Sequence, residues 1–280
     1  MYQIVRKVRL NPTVTRMDIY APFVAKKAKP GQFIILRVDE DGERIPLTVA
    51  DYDREAGTVS IIFQIVGGGT QRLDAKEEGD YIPDFVGPLG RPTHVEGLKK
   101  VCVVGGGVGC AIALPVAKAL HEAGCEVCSI IGFRSKDLVI LEEEFKACST
   151  TFHIMTDDGS YGRQGNVCVP LNEMLSAGEQ FDEVITIGPL VMMKFVCAAT
   201  KPYGIKTIAS MNPIMIDGTG MCGGCRLTVG GEMKFACVDG PEFDGHLIDF
   251  DEAMSRARTY ADFELRERED TCNLFNKGVE

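Results

Sequence analysis

The sequence has no hydrophobic run long enough to form a transmembrane helix, because Gly, Lys or Asp interrupts each of its longer apolar stretches. It has no basic run either: the net charge is −10, and residues of both signs are spread along the chain. We therefore expect no membrane insertion and no binding to nucleic acid or anionic membrane surfaces. No signal peptide is recognisable at the amino terminus, so we predict a cytoplasmic protein.

Histidine is scarce, and none of the four histidines is an evident general acid or base, so we predict no catalytic side chain. Cysteine occurs 11 times, which in a chain of this size without a secretion signal indicates free thiols in a reducing compartment. Seven cysteines lie in or beside apolar runs, where a free thiol packs as a small hydrophobic group: Cys102, Cys110, Cys125, Cys128, Cys148, Cys168 and Cys197.

A second group of cysteines has a spacing that indicates a metal centre. Asp217 is followed by Cys222, Cys225 and Cys237, which is the plant-type iron–sulfur spacing with aspartate in the first position. Glycines in this segment allow a tight loop whose N–H groups point at sulfide, and a carboxylate can ligate iron although it is a harder donor than sulfur. A structural zinc site is the alternative, but the second cysteine pair or the histidines of such sites are missing.

The chain changes character near residue 97. Short β-rich runs separated by Pro, Gly and Asp predict a small antiparallel barrel over residues 1–97. Strands and helices then alternate over 98–208, which predicts a doubly wound parallel sheet that binds a nucleotide. We expect residues 209–250 to carry the cysteine loop as a small subdomain and 251–280 to form a helical tail, with a single charged helix over Glu252–Arg268. The predicted fold class is therefore mixed β and α/β.

Glycine-rich turns follow strands in both large regions. Gly105–Gly109 departs from the dinucleotide fingerprint and is a weak motif alone, but such glycines let a helix N-terminus approach a pyrophosphate. Loops after the third and fourth strands gather at the same edge of the sheet. In the barrel, Arg44–Thr48 at the end of a strand region and the turn Gly67–Thr70 could together clamp a second pyrophosphate. A solvated arginine and a plain hairpin turn are the alternatives.

These motifs occur in the order found in the ferredoxin-NADP reductase superfamily, and the cysteine loop resembles that of dihydroorotate dehydrogenase electron-transfer subunits. Within this group the chain resembles most the small (alpha) subunits of NADH-dependent reduced ferredoxin:NADP oxidoreductases, the electron-bifurcating transhydrogenases, also described as sulfide dehydrogenase subunits. Asp217 carries this distinction, because dihydroorotate dehydrogenase subunits have cysteine at the first position.

The resemblance implies three ligands: FAD, a 2Fe-2S cluster and NAD(H), with NADP(H) as the alternative substrate. It implies that FAD contacts Arg44, Pro46, Leu47 and Thr48 and that its diphosphate contacts Gly67, Gly68, Gly69 and Thr70. The nicotinamide nucleotide is expected at Gly106, Gly107, Val108, Gly109, Asp157, Asp158 and Gly188. The implied cluster ligands are Asp217, Cys222, Cys225 and Cys237. Members of the family often have an aromatic residue at the position of Pro46.

The resemblance also implies a function and partners. NAD(H) would exchange hydride with FAD, and single electrons would pass through the cluster to a larger flavoprotein, similar to the glutamate synthase small subunit and carrying further iron–sulfur clusters. Ferredoxin would be an indirect partner. Arg134 and Lys136 favour NADPH by their charge, whereas the resemblance favours NADH. The alternatives are a dihydroorotate dehydrogenase subunit, a stand-alone flavin reductase and, more remotely, a zinc-containing nucleotide-binding protein.

Overall fold

The computed structural model describes residues 1–277, and their side chains as far as Thr271. Its first part is a seven-stranded antiparallel sheet that curls into a nearly closed barrel, as predicted. Its elements are β1 (Tyr2–Asn11), β2 (Val14–Tyr20), α1 (Pro22–Lys27), β3 (Phe33–Arg37), β4 (Arg44–Asp53), β5 (Thr58–Gln64), α2 (Gly68–Asp74), β6 (Tyr81–Ile82) and β7 (Asp84–Leu89). The strands lie in the order β6-β1-β2-β5-β4-β3-β7.

Alternation of apolar and polar residues along these strands fills the barrel. Ile4, Met17, Ile34, Ile61 and Phe63 point into one buried cluster, as expected for strands with one face on a core. One local expectation was wrong, because the segment Arg44–Thr48 begins β4 instead of ending a strand region. Gly67–Thr70 leads into the short helix α2, so the alternative of a plain hairpin turn does not hold.

The second part is a parallel sheet with helices packed on it. Its elements are β8 (Lys100–Gly106), α3 (Gly109–Glu122), β9 (Glu126–Phe133), α4 (Glu142–Ala147), β10 (Thr151–Thr156), β11 (Arg163–Gln164), α5 (Cys168–Ser176), β12 (Glu183–Ile187), α6 (Leu190–Thr200) and β13 (Thr207–Ser210). Short 3₁₀ turns cover Lys136–Leu138 and Lys201–Tyr203. The order β11-β10-β9-β8-β12-β13 places the topological switch between β8 and β12, where open α/β sheets bind ligands.

The third part contains β14 (Arg226–Val229), β15 (Glu232–Phe235), α7 (Ala236–Asp239), β16 (Glu242–Asp244), α8 (Phe250–Ala257) and α9 (Ala261–Lys277). It shares a sheet with the second part and a buried cluster with both other parts. β16 pairs antiparallel with β13 at the edge of the parallel sheet. Phe33 and Ile35 of the barrel pack in one buried cluster with Met193 of α6 and with Cys225 and Leu227 of the cysteine region.

The single terminal helix expected over residues 252–268 was wrong, because two helices, α8 and α9, lie there with a break at 258–260. Thr259 ends α8 by directing its hydroxyl to the carbonyl of Arg256, a local bond that competes with the helix ladder. The two helices then pack on different partners, α8 on α6 and β14, and α9 on α2 of the barrel. The last three residues of the predicted tail lie outside the described residues.

Six of the seven cysteines expected in apolar surroundings are buried, whereas Cys168 is partly exposed at the start of α5. None of the described helices is both long enough and apolar enough to span a bilayer.

Candidate cofactor sites

A cavity of about 1230 Å³ lies between the barrel and the carboxyl edge of the parallel sheet. Pockets for one drug-sized ligand measure roughly 300–1,000 Å³, so this cavity has room for two large ligands side by side. Its barrel wall is mainly apolar, with Phe33, Pro46 and Leu47. Its sheet wall combines the glycine turn after β8 with the polar side chains of Asn166 and Asn172.

The structure brings part of the predicted flavin set to the barrel wall. Pro46, Leu47 and Thr48 of β4 line the cavity, and Thr70 joins them from the first turn of α2. Pro46 lies opposite Ile35 in the sheet and offers a small saturated ring instead of an aromatic one. Arg44 is exposed at the start of β4, outside the cavity wall.

The predicted diphosphate turn faces the cavity at one residue and other parts of the protein at two others. Thr70 lines the cavity, and its Oγ1 accepts hydrogen bonds from the Gly67 N–H at 3.0 Å and from the Val66 N–H at 3.0 Å. Gly68 and Gly69 are outside the cavity wall: the Gly69 N–H donates to Glu43 Oε1 at 3.1 Å, and α9 packs against Gly68. A role of Gly68 and Gly69 in flavin binding stays a prediction.

The glycine turn after β8 forms the centre of the sheet wall, and Gly106, Gly107, Val108 and Gly109 all line the cavity. Gly107 has φ +55°, a left-handed conformation that glycine adopts without strain. A Cβ on Gly109 would lie 2.6 Å from the Ile187 carbonyl oxygen, so glycine is needed where α3 begins against β12. The N-terminus of the 14-residue helix α3 therefore opens on the cavity, and its dipole favours an anionic ligand there.

The remaining predicted nucleotide residues are divided. Gly188 and Asp157 line the cavity, together with Arg134. Asp157 and Arg134 follow the paired strands β10 and β9, and neither side chain forms an ion pair with another described residue. Asp158 is outside the wall: its Oδ1 accepts hydrogen bonds from the Ser160 hydroxyl at 2.6 Å and N–H at 2.9 Å, which lower the pKa of this carboxyl.

The four predicted cluster ligands are arranged as two pairs. Asp217 Oδ2 accepts a hydrogen bond from the Cys222 N–H at 2.8 Å, and Asp217 Oδ1 accepts one from the Thr219 N–H at 2.8 Å. The Sγ atoms of Cys225 and Cys237 are 3.2 Å apart. Two donor pairs suit a cluster with two irons, each of which takes two protein ligands.

The electrostatics of the two pairs differ. Backbone N–H groups, first that of Thr219, lower the pKa of Asp217, so its carboxylate is ionised and ready to ligate. Burial, and then the neighbouring Cys225, raise the pKa of Cys237 to about 12, so this thiol needs a cation nearby to lose its proton. Cys222 is exposed at the loop surface. Among the residues described, no three Cys, His, Asp or Glu side chains converge on a single point.

Sequence reasoning missed one part of the cavity wall, formed by Met211, Asn212 and Met215 after β13. The carboxyl ends of parallel strands meet at one edge of the sheet. A prediction of the short strand Thr207–Ser210 from the sequence would therefore have placed these residues at that edge. The four residues of this strand are too few for a clear periodic pattern. The predicted boundary at 208 followed the start of the cysteine region instead.

The barrel, the parallel sheet and the cavity between them define a flavin reductase-type electron-transfer protein. Residues 212–249 match the family model of the iron-sulfur cluster binding domain of dihydroorotate dehydrogenase B. The chain is 46% identical over 262 residues to a dihydroorotate dehydrogenase B (NAD(+)) electron transfer subunit homolog of Thermotoga maritima, covering 94% of this chain and 92% of that one. The chain belongs to the family of dihydroorotate dehydrogenase B electron-transfer subunits and their homologues.

Two further comparisons agree with this membership. The dihydroorotate dehydrogenase B electron transfer subunit of Streptococcus pneumoniae is 33% identical over 249 residues, covering 86% of this chain and 94% of that one. A solved chain of the NADH-dependent reduced ferredoxin-NADP oxidoreductase superposes with a TM-score of 0.91 and 42% identity, covering 96% of this chain and 97% of that one. The predicted relationship to both groups is thus confirmed, as is the predicted class, an oxidoreductase electron-transfer subunit with FAD and an iron–sulfur cluster.

Proposed function

We propose that the chain is the small subunit of an NADH-dependent, electron-bifurcating ferredoxin:NADP oxidoreductase. When bound, FAD would exchange hydride with NAD(H) and the cluster would carry single electrons, so the flavin links two-electron to one-electron chemistry. One observation carries the proposal. The cavity wall runs through Asn212 and Met215 directly into the loop of the cluster ligands at Asp217, so both cofactor sites share one short segment.

The side chains of the cavity would bind and orient the cofactors and exclude water from them. The apolar barrel wall at Phe33 and Leu47 keeps solvent from one side of the cavity, and Thr48 offers a hydroxyl beside it. The N-terminus of α3 attracts the pyrophosphate of the nicotinamide nucleotide. No side chain is required to supply or accept the transferred hydride.

The cluster loop is fixed against the barrel. Gly218 has φ +75°, and a Cβ there would lie 2.6 Å from Leu89 and 3.1 Å from Ile35, side chains of two barrel strands. The close approach brings the loop onto β3, the strand that carries Phe33 of the cavity wall. This contact supports electron transfer between flavin and cluster without a conformational change.

The nicotinamide substrate is proposed to be NADH. Asp157 lies on the cavity wall without an ion-pair partner among the described residues, next to Arg134. A carboxylate accepts hydrogen bonds from the hydroxyls of an unphosphorylated ribose and repels a 2′-phosphate. Arg134 can stack on the adenine. The charge of Arg134 and Lys136 alone would favour NADPH, but Lys136 lies over the Tyr161 ring at 5.5 Å, outside the cavity wall.

The partner is proposed to be a larger flavoprotein with iron–sulfur clusters, similar to the glutamate synthase small subunit, which in turn serves ferredoxin. An exposed apolar patch surrounds the exposed ligand Cys222: Met221 is 88% exposed, Ile216 48% and Val238 38%. Clustered apolar surface of this kind is typical of protein–protein contacts. A partner docked on this patch would lie next to the one-electron carrier.

A second candidate is the electron-transfer subunit of a dihydroorotate dehydrogenase, favoured by the family match over residues 212–249. Asp217 argues against it, since a cysteine is expected at this position in those subunits. Affinity purification of the tagged chain from its native cells discriminates the two. A dihydroorotate-oxidising partner would support the second candidate, and a partner that reduces NADP would support the first.

An anaerobic titration with NADH tests the proposal. We expect NADH to bleach the flavin absorbance first and the cluster absorbance after it. The same titration with NADPH is the control and should need a much higher concentration. Bleaching by neither nucleotide would contradict hydride exchange in this cavity.

A further inference from the structure

The carboxy-terminal helix α9 packs on the barrel beside the turn that precedes α2. α9 and α2 form an extended contact although the helices are separated by most of the chain. Thr271 of α9 is only 2% exposed, in a helix whose preceding residues are almost all exposed. An isolated buried polar residue on an otherwise solvated helix marks the position where the helix is held.

The contact depends on a glycine in the turn. A Cβ on Gly68 would lie 2.8 Å from Thr271 Oγ1, 2.9 Å from Glu267 Cγ and 3.2 Å from the Glu267 carbonyl oxygen. The approach of the two backbones therefore leaves no room for any side chain at position 68. Gly67, its neighbour, has nothing within 4 Å of an added Cβ.

Arg72 fastens the two helices one turn further on. Its Nη1 donates to Glu267 Oε1 at 2.8 Å and to Thr271 Oγ1 at 3.4 Å, and its Nε lies 3.7 Å from Asp39. Arg72 is partly buried and thus links α9 to the barrel strand connection that carries Asp39.

The cavity and α9 contact different residues of one turn. Val66 and Thr70 line the cavity, whereas Gly68 and Arg72 contact α9 and are outside the cavity wall. Thr70 is tied to Gly67, because its hydroxyl accepts a hydrogen bond from the Gly67 N–H and donates one to the Gly67 carbonyl at 2.9 Å. A shift of the backbone at Gly68 would therefore also move Thr70, because both residues belong to the same turn.

We propose that α9 is a positioning element of the flavin site, which retains the flavin by fixing the Gly67–Thr70 turn from its outer side. The inference rests on the proposed function, because it takes the flavin to lie against Thr70. The described side chains of α9 are outside the cavity wall, so Gly68, Arg72 and Thr271 would act through the turn. The residues of α9 would thus set the lifetime of the bound flavin without taking part in electron transfer.

Two lysine substitutions on α9 test the inference in the full-length protein. Thr271→Lys places a charge in the buried contact, and Leu265→Lys makes the same charge change at a site that is 58% exposed. We expect Thr271→Lys to raise the flavin dissociation rate roughly tenfold, equivalent to about 1.4 kcal/mol. Leu265→Lys should change it by less than about twofold, as surface substitutions do. Gly68→Ala should act like Thr271→Lys from the barrel side.

Hydrogen exchange followed by mass spectrometry shows whether α9 has separated from the barrel. Faster exchange in both α9 and α2, together with faster flavin release, supports the inference. Faster exchange with unchanged flavin release overturns it, and so does unchanged exchange in Thr271→Lys, since the contact would then not hold α9. A wild-type protein that binds no flavin refutes the proposed function itself, which the NADH titration and flavin content report separately.

Discussion

Asp217 distinguishes this site from a four-cysteine cluster. Its carboxylate is pre-oriented by two backbone N–H groups before any metal is bound, and it lies beside Cys222, an exposed donor. As a ligand, this carboxylate would change the electron density and solvation at one iron, whereas Cys225 and Cys237 would give the other iron two thiolates. The two irons are therefore expected to be inequivalent.

Replacing this aspartate by cysteine tests the ligand assignment. We expect Asp217→Cys to keep the iron content and to change both the visible spectrum and the reduction potential, because a thiolate replaces an oxygen donor. Absorption spectroscopy and a redox titration measure these properties. Glu232→Cys, which adds a thiol at an exposed position of β15, is the control and should change neither. An unchanged spectrum and potential in Asp217→Cys would remove Asp217 from the ligand set.

Asp157 is the residue expected to favour NADH over NADPH. In Asp157→Asn the repulsion of a 2′-phosphate is lost, and Arg134 remains to attract it. We expect the ratio of NADPH to NADH affinity to rise roughly tenfold or more, since one charge–charge contact near a surface is worth about 1–4 kcal/mol. Calorimetric titration of both nucleotides measures the ratio. Asp158→Asn, at the neighbouring residue outside the cavity wall, should leave the ratio unchanged; equal effects of both variants would contradict the role of Asp157.

At the scale of elements, β16 carries a partly buried acid where the three parts of the chain meet. Glu242 Oε1 accepts a hydrogen bond from the Thr93 hydroxyl at 2.6 Å, and Gly31 of the barrel lies against the same carboxyl. Burial raises the pKa of Glu242 from 4.5 to about 7, with Glu183 adding to the rise and Lys206 opposing it. This carboxyl group is therefore neutral in the folded protein at mildly acidic pH.

The raised pKa predicts a pH dependence of stability. Between pH 4.5 and about 7 the unfolded chain has lost the Glu242 proton while the folded chain retains it, so the free energy of unfolding falls as the pH rises. The loss amounts to on the order of 3 kcal/mol. Glu242→Gln keeps an acceptor for Thr93 and cannot ionise, so the variant should gain stability relative to the wild type across this interval. Urea unfolding at several pH values measures the difference; a difference independent of pH would refute the prediction.

The elements with strong patterns were predictable, and the short ones were not. β8 is a continuous apolar run because it is covered on both faces, and its glycine turn and helix α3 follow within a few residues. β13 and β16 are too short to show periodicity, and their places depend on a sheet edge formed by distant residues. The break between α8 and α9 has a local part in the Thr259 hydroxyl bond, but each helix also packs on a different part of the chain, which local sequence does not encode.

The candidate site was predictable to a similar extent. The segments that line the cavity through backbone and short side chains, such as Gly106–Gly109, followed from their position after a strand. The outer placement of Gly68 and Gly69 did not, because a glycine needed for a ligand and a glycine needed for a helix contact have the same sequence signature. Arg44 and Asp158 illustrate the same limit: their residue types suit a phosphate or a ribose, but their side chains are outside the cavity wall.

At the scale of the whole molecule, three sequence regions form one packed unit. Val14 and Ile62 of the barrel share a buried cluster with the parallel sheet, and Phe33 and Ile35 share another with the cysteine region. The cavity lies where these regions meet, and the cluster loop begins at its wall. In the proposed arrangement the nucleotide lies on the sheet, the flavin on the barrel and the cluster at the exposed apolar patch.

The visible absorption spectrum of the anaerobically purified protein, with flavin, iron and zinc quantified, tests the central claim most directly. The account predicts flavin bands, iron–sulfur absorbance, about one flavin and about two irons per chain. A colourless protein with stoichiometric zinc would contradict it, because the cysteine loop would then be a structural site and the cavity would hold no redox cofactor.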